Sequence, residues 1–142
     1  CMDSYTRKFK ALSDLTRLRA LRLVLQSGQE VCVCELVDAL QLPQYQVSKH
    51  LSVLKQAGLV EDCRVGTWVY YSIPQDASKF VEGLCRLVAD DVVGPVFEAD
   101  AARLKERLKA RTDGRCVVGT RGAKLRRRRS VRDQEQGKTS AH

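Results

Sequence analysis

The spacing of apolar residues predicts several short helices in the first sixty residues. Ser13 is a candidate N-cap, and the leucines after it recur at helical intervals. A shorter apolar segment, Val33–Leu40, precedes Pro43, whose fixed φ suits the first turn of a helix. We therefore expect a helix over Gln44–Gln56, closed by Gly58.

After this helix the pattern of apolar residues becomes that of strands. Val60–Arg64 is short and extended, and Val65–Thr67 is a candidate turn. Trp68–Ile73 is rich in the aromatic and β-branched residues that strands favour. Together these segments predict a β-hairpin.

Two further helical segments follow the hairpin. Apolar residues form one stripe over Phe80–Val88, and Glu98–Arg111 has alternating charges with a sparse apolar face. From Thr112 onward the periodicity stops, and Arg126–Arg129 is a run of arginines. We expect one folded domain over residues 1–111 and a basic, disordered tail over residues 112–142.

Two short helices followed by a hairpin are typical of a winged helix-turn-helix, so the predicted fold class is mainly α with a small β-hairpin. In this pattern the second helix reads DNA, with its apolar residues turned inward. Glutamine and serine can hydrogen bond to base edges, and lysine can neutralise a phosphate. A solvated helix face is the plainer interpretation, but the neighbouring hairpin disfavours it. The candidate DNA-binding residues are Gln44, Tyr45, Gln46, Ser48, Lys49, His50 and, in the wing, Arg64.

For His50 the sequence leaves two roles open, a DNA contact and a packing hydrogen bond. The charge distribution adds little to the DNA-binding hypothesis. The 142 residues carry a formal net charge of +8, but residues 112–142 contain nine basic and three acidic groups, so most of the excess lies in the tail. A basic balance permits phosphate neutralisation without establishing it.

Composition narrows the class of protein. No stretch approaches the roughly 20 apolar residues of a membrane span, and Cys1–Lys10 lacks the apolar core of a signal peptide. We therefore expect a soluble, cytoplasmic protein without a membrane partner. In that compartment the six cysteines are expected to be free thiols, metal ligands or redox thiols rather than disulfides.

Four segments carry a more specific signal. Residues 11–18 read ALSDLTRL, residues 31–40 read VCVCELVDAL, residues 44–59 read QYQVSKHLSVLKQAGL, and residues 65–73 read VGTWVYYSI. Residues 5–90 therefore resemble the ArsR/SmtB family of metal- and metalloid-responsive repressors, and the CVCEL box resembles its arsenic- and antimony-sensing branch. The resemblance implies a homodimer joined through Tyr5–Lys10 and Phe80–Val88. Such a dimer would bind double-stranded operator DNA with inverted symmetry.

The resemblance also assigns a role to Cys32 and Cys34. Thiolates suit soft ions, so the pair is expected to bind As(III) or Sb(III) as an inducer that releases the protein from DNA. Residues two apart in a helix lie about 200° apart, at about 100° per residue. One ion bound to both sulfurs would then have to distort the start of the helix. The alternative is that both residues are small apolar core residues.

A third sulfur ligand is not evident from the sequence. Relatives with this box commonly place a cysteine three residues after the second, where this chain has Val37. The remaining candidates are Cys1, Cys63 and Cys116, or a solvent or small-thiol ligand. Cys85 lies in the apolar stripe and is expected in the core.

Other functions remain open at this point. Zinc sensing has little support, because His50 and His142 are the only histidines and zinc favours four histidine or cysteine ligands. A redox- or persulfide-sensing repressor of the same fold is an alternative. In other classes, a small thiol oxidoreductase or an interaction module without DNA binding is conceivable. The chain lacks a C-x-x-C motif and a phosphate loop, so we expect no enzyme and no prosthetic group.

Overall fold

The computed structural model describes residues 2–111, which form six helices and three strands. Residues 112–142, where the basic tail is predicted, lie outside the described residues, as do Cys1 and Cys116. The elements in chain order are α1 (Met2–Leu12), α2 (Leu15–Ser27), β1 (Val31–Cys32), α3 (Val33–Leu40), α4 (Gln44–Gln56), β2 (Glu61–Val65), β3 (Trp68–Ser72), α5 (Lys79–Asp91) and α6 (Pro95–Leu108).

The strands form one antiparallel sheet in the order β1-β3-β2. The predicted hairpin is confirmed as β2 and β3, joined at Gly66, whose φ of 62° suits glycine. The sequence did not predict β1, because a strand of two residues has no periodicity to detect. β1 pairs with β3 through Val31 and Tyr71 and through Cys32 and Tyr70, so the sheet reaches the start of α3.

The core lies between α2, α3 and α4. Each helix turns leucines inward, and the apolar stripe predicted for α4 is fully buried. Burying a leucine contributes roughly 1.5–3 kcal/mol relative to leaving it exposed, so these contacts fix the angle between α3 and α4. The leucines whose solvent exposure is 2% or less are Leu21, Leu23, Leu36, Leu40, Leu51, Leu54 and Leu59.

The predicted cap of α2 is one residue off. Asp14 rather than Ser13 is the N-cap, because its Oδ1 accepts the N–H of Arg17 at 3.1 Å. The Ser13 hydroxyl instead donates to the carbonyl of Lys10 at 2.7 Å. Ser13 therefore closes α1 while Asp14 opens α2.

α6 buries charged residues that its sequence pattern did not predict. It spans Pro95–Leu108 rather than 98–111, and Asp100 and Arg107 are buried. Asp100 accepts hydrogen bonds from Arg19 of α2 at 2.7 and 2.8 Å and from Arg103 at 2.6 Å. Because a buried carboxylate must be paired to be tolerated, these contacts fix α6 against the helical core.

Within residues 2–111, no helix is long and apolar enough to cross a lipid bilayer.

We expect opposite effects from adding a methyl group at two glycines. Gly58 closes α4 with a φ of +78°, and the Leu59 and Gly58 amides donate back to the carbonyls of Leu54 and Lys55. Gly58→Ala should lower the free energy of unfolding by about 1–2 kcal/mol, the cost of a left-handed L-residue.

The control is Gly83→Ala within α5, where an added Cβ meets no atom within 4 Å. This change should raise the free energy of unfolding by roughly 0.5–1 kcal/mol. Urea unfolding at several protein concentrations measures both and separates any effect of Gly83→Ala on a dimer joined through α5 from its effect on the helix. Equal stability of the two variants would contradict the role assigned to Gly58.

Candidate metalloid site and DNA-reading face

The sulfur atoms of Cys32 and Cys34 are in direct contact. Cys32 ends β1 with an extended backbone and is the N-cap of α3, whereas Cys34 lies in the first turn. Their Sγ atoms are 3.2 Å apart, and both side chains are buried. The prediction that they lie on opposite sides of a helix is wrong, because the helix begins between them.

This geometry fits one soft ion. Two sulfurs bound to the same ion at about 2.3 Å lie roughly 3.3–3.8 Å apart for bond angles of about 90–110°. The observed separation of 3.2 Å is close to that range. The pair can therefore bind one thiophilic ion with little movement, and α3 need not unwind, contrary to expectation.

A buried acidic residue fixes the backbone of Cys32. Glu35 is fully buried, and its Oε1 accepts the N–H of Cys32 at 2.9 Å. An acidic residue at this helical position that accepts the N-cap amide forms half of a capping box. The same carboxylate accepts two hydrogen bonds from Arg111, at 2.6 and 2.7 Å. Glu35 thus holds Cys32 just before the first turn of α3 rather than inside the helix.

Cys34 has a cationic neighbour on α6. Arg107 is 4% exposed, and its Nη2 donates to the Cys34 sulfur at 3.8 Å. Its Nε donates to Asp38 at 2.6 Å. Soft ions bind the thiolate form of cysteine, and Arg107 places a positive charge beside this sulfur.

The described residues do not bring a third sulfur to the pair. Cys63 is exposed on β2 and pairs in register with Tyr70 of β3, whose other neighbour is Cys32. Cys63 is therefore two strand spacings from Cys32, roughly 10 Å. Between residues 2 and 111, no group of three His, Cys, Asp or Glu side chains is arranged to hold a metal ion.

The expectation that Cys85 lies in the core is confirmed. Its side chain is buried in the main apolar cluster. Burial raises the pKa of the Cys85 thiol above its ordinary value, so this thiol is poorly suited to react or to bind an ion.

α4 presents polar side chains to solvent on the side away from the core. Gln44 and Lys49 are exposed, and Tyr45 is 72% exposed. Gln46 and Ser48 are half-buried at the edge of this face. These groups in the first two turns are therefore accessible to a partner.

Two additional residues extend this face and were not named from the sequence. Ser52 and Gln56 are exposed and follow Tyr45 and Lys49 at helical intervals of three and four residues. Extending the periodicity from Tyr45 along the helix would have found them. In the wing, Arg64 is exposed on β2 beside the turn.

His50 packs against the start of α2. Its Nδ1 lies 3.5 Å from Nη1 of Arg17 and 4.0 Å from Oδ1 of Asp14. The Arg17 N–H that donates to Asp14 holds the pKa of that carboxyl below its ordinary value, and the charges of Arg17 and His50 lower it further. Of the two roles left open for His50, the packing contact is therefore present.

Comparison with known proteins identifies the family. Residues 14–62 match the family described as "Bacterial regulatory protein, arsR family". The chain is 43% identical over 98 residues to the arsenic resistance transcriptional regulator ArsR1 of Pseudomonas putida, an alignment covering 69% of this chain and 75% of that protein. The chain belongs to the arsR family. This confirms the resemblance seen in the sequence and favours a transcriptional regulator over a thiol oxidoreductase.

A further relative and a solved structure support the assignment. The arsenical resistance operon repressor of Escherichia coli is 39% identical over 88 residues, which cover 59% of this chain and 74% of that protein. HlyU from Vibrio cholerae is 29% identical with a TM-score of 0.54, over 61% of this chain and 89% of that chain.

The homodimeric winged helix-turn-helix DNA-binding domain of Mb0332 from Mycobacterium bovis is 37% identical with a TM-score of 0.53, over 61% of this chain and 76% of that chain. The arsR-family fold predicted from the sequence, a winged helix-turn-helix, is therefore confirmed.

Among the four cysteines that the structure describes, we expect widely different rates of alkylation. Cys63 is exposed and should react first with N-ethylmaleimide at pH 7. Cys85 should react last, because burial both shields it and raises its pKa. Timed labelling followed by peptide mass spectrometry measures each rate, and labelling in denaturant supplies the control in which the four rates converge. A native Cys85 that reacts as fast as Cys63 would contradict the geometry.

Proposed function

We propose that this arsR-family chain is a homodimeric repressor that leaves its operator when Cys32 and Cys34 bind trivalent arsenic or antimony. The observation that carries the proposal is the buried 3.2 Å contact between the two Sγ atoms at the junction of the sheet and α3. Relatives described as arsenic resistance regulators support the choice of ion.

An exposed apolar surface on α1 and α5 supports the homodimer. Tyr5, Phe9 and Leu87 are each about half exposed, and Phe80 contacts both aromatic rings, with centroids at 4.7 and 5.8 Å. Contiguous exposed apolar groups favour a protein interface. A two-fold dimer built here would carry its two α4 helices into successive major grooves, about 34–36 Å apart, which requires an operator with inverted symmetry.

The polar face of α4 supports DNA reading. Gln44, Gln46 and Ser48 offer donors and acceptors for base edges, whereas Tyr45 and Lys49 suit phosphate contacts. Arg64 in the wing suits a backbone contact in or near the minor groove. His50, held by Arg17 and Asp14, acts here as a packing residue that orients α4.

The thiol pair supplies the ligands for the inducer. Each thiol that displaces a hydroxide from arsenous acid forms one As–S bond and releases one water, with no change in oxidation state. A third donor completes the site, from Cys1, Cys116, a small thiol or solvent. We place Cys63 last among the candidates, because Tyr70 of β3 lies between it and Cys32.

A redox-sensing repressor is the second candidate function, and the same sulfur contact favours it. Two thiols in contact can form a disulfide, giving two electrons and two protons to a peroxide that is reduced to water and its alcohol or to water alone. Arsenite and oxidant responses are separable, because arsenite needs no electron acceptor. Release by arsenite under strict reduction supports the metalloid sensor, and release only after oxidation supports the redox sensor.

Loss of either sulfur should abolish release without abolishing DNA binding. The assay is fluorescence anisotropy with the DNA upstream of the chain's own gene, titrated with arsenite in a monothiol-free, phosphine-reduced buffer. Cys32→Ser and Cys34→Ser should bind this DNA within about threefold of the unmodified chain and stay bound with arsenite.

The matched control is Cys63→Ser, which should release normally. A Cys34→Ser variant that dissociates at the same arsenite concentration as the unmodified chain would overturn the proposed function. Loss of release in Cys63→Ser would instead identify Cys63 as the third donor.

Exposed residues of α4 should divide into base readers and phosphate contacts. Gln44→Ala should weaken binding to the operator by about 1–3 kcal/mol while affecting random DNA little. Lys49→Ala should weaken both and reduce the salt slope by about 1. The controls are Gln75→Ala and Lys79→Ala, which change exposed residues outside α4. Equal loss on operator and random DNA for Gln44→Ala would show that this side chain does not read sequence.

A further inference from the structure

Three arginines reach toward α3 from the C-terminal half of α6 and the turn after it. Arg103, Arg107 and Arg111 are spaced four residues apart, so they lie on one side of the helix and the turn that follows it. Below they are called the arginine row. Arg103 donates to the carbonyl of Ala39 at 2.6 Å, and Arg107 to Asp38 at 2.6 Å. The row therefore runs along most of the length of α3.

The row is linked to both sulfur-bearing residues, directly to Cys34 and through Glu35 to Cys32. Arg107 donates directly to the Sγ of Cys34, at 3.8 Å. Arg111 binds both oxygens of Glu35, and Glu35 accepts the backbone N–H of Cys32. Each member of the thiol pair is thus connected to α6 through a separate guanidinium.

At its other end the row meets the turn between α3 and α4, the proposed DNA-reading helix, called the reading helix below. The last carbonyls of a helix have no partner inside the helix. Here Arg103 caps the carbonyl of Ala39, and Arg19 caps that of Leu40 at 3.2 Å. Arg103 and Arg19 also share the buried Asp100. These contacts set where α3 ends, and α4 begins four residues later.

Local unwinding of α3 is not sufficient to link the ion to DNA release. The two sulfurs are already in contact at the N-terminal end of α3, so binding one ion to both does not require the helix to break. An element that contacts both the Cys34 sulfur and the α3–α4 turn can supply the link, and α6 contacts both.

We propose that α6 transmits occupancy of the thiol pair to the reading helix, with Arg107 as the positioning residue that detects it. The inference rests on the proposed function and concerns the regulation of the same site. When the Cys34 sulfur shares its electron pairs with an ion, it becomes a poorer acceptor for Arg107. Arg107, still bound to Asp38 through its Nε, then turns away from the Cys34 sulfur, and α6 shifts with it relative to α3.

Open space beside the row permits such a shift. A cavity of about 830 Å³ lies between α6 and the α3–α4 turn, and Asp38, Arg103 and Arg107 line it. Gln44, the first residue of the reading helix, lines the same cavity. A movement of α6 into this space therefore reaches the reading helix directly.

The test separates ion binding from DNA release in the full-length chain. Arsenite loading is followed by the ultraviolet absorbance of arsenic–sulfur bonds, and operator affinity by anisotropy with and without arsenite. The variants are Arg107→Met, which removes the guanidinium, and Arg107→Lys, which keeps a charge for Asp38 but loses the fork that reaches Cys34. Lys105→Met, an exposed charge on the same helix, is the control.

For Arg107→Lys we expect arsenite loading within about threefold of the unmodified chain. The ratio of operator Kd with and without arsenite should fall about tenfold, within the 5–150-fold range of ordinary allosteric coupling. Lys105→Met should match the unmodified chain in both measurements.

Failure of this inference is distinguishable from failure of the proposed function. If Arg107→Lys loads arsenite and releases DNA with an unchanged ratio, α6 does not transmit the signal. If the unmodified chain loads arsenite but stays on DNA, the proposed function itself is wrong. Arg107→Lys also covers the case in which Arg107→Met leaves Asp38 unpaired and does not fold, which a thermal melt detects.

Discussion

The pairing of Glu35 with Arg111 beneath the first turn of α3 is the interaction on which the thiol site depends. A carboxylate with no solvent exposure is stable there only because a guanidinium and a backbone amide share its charge. That amide belongs to Cys32. The ion pair therefore fixes the residue at which the strand stops and the helix starts, and this boundary brings the two sulfurs together.

The same ion pair connects regions that are distant in the sequence. The described end of the chain, at Arg111, is joined to a segment seventy-six residues earlier, and the sheet that carries the wing is joined to α3 through β1. The two cysteines therefore lie beside both the sheet that carries the wing and the helix that precedes α4.

Sequence periodicity predicted the fold well and the site incompletely. The helix over Gln44–Gln56 and its closing glycine at position 58 were placed correctly, because inward leucines and a left-handed glycine are local signals. Arg107 and Asp100 were missed, since nothing local distinguishes a buried charge from a solvated one when its partner lies on another helix. The error at Cys32 has the same origin, because its extended backbone is set by Tyr70 and Glu35 rather than by its neighbours.

The position of Cys32 at a boundary between two kinds of backbone has a consequence for how such motifs are recognised. A C-x-C motif has no fixed geometry of its own. Moved one residue later in this chain, both cysteines would fall within α3 and point about 200° apart, with the spacing between them unchanged. Whether the two cysteines of such a motif can chelate one ion is thus decided by where the helix begins. A search for the motif should therefore be combined with a prediction of helix starts.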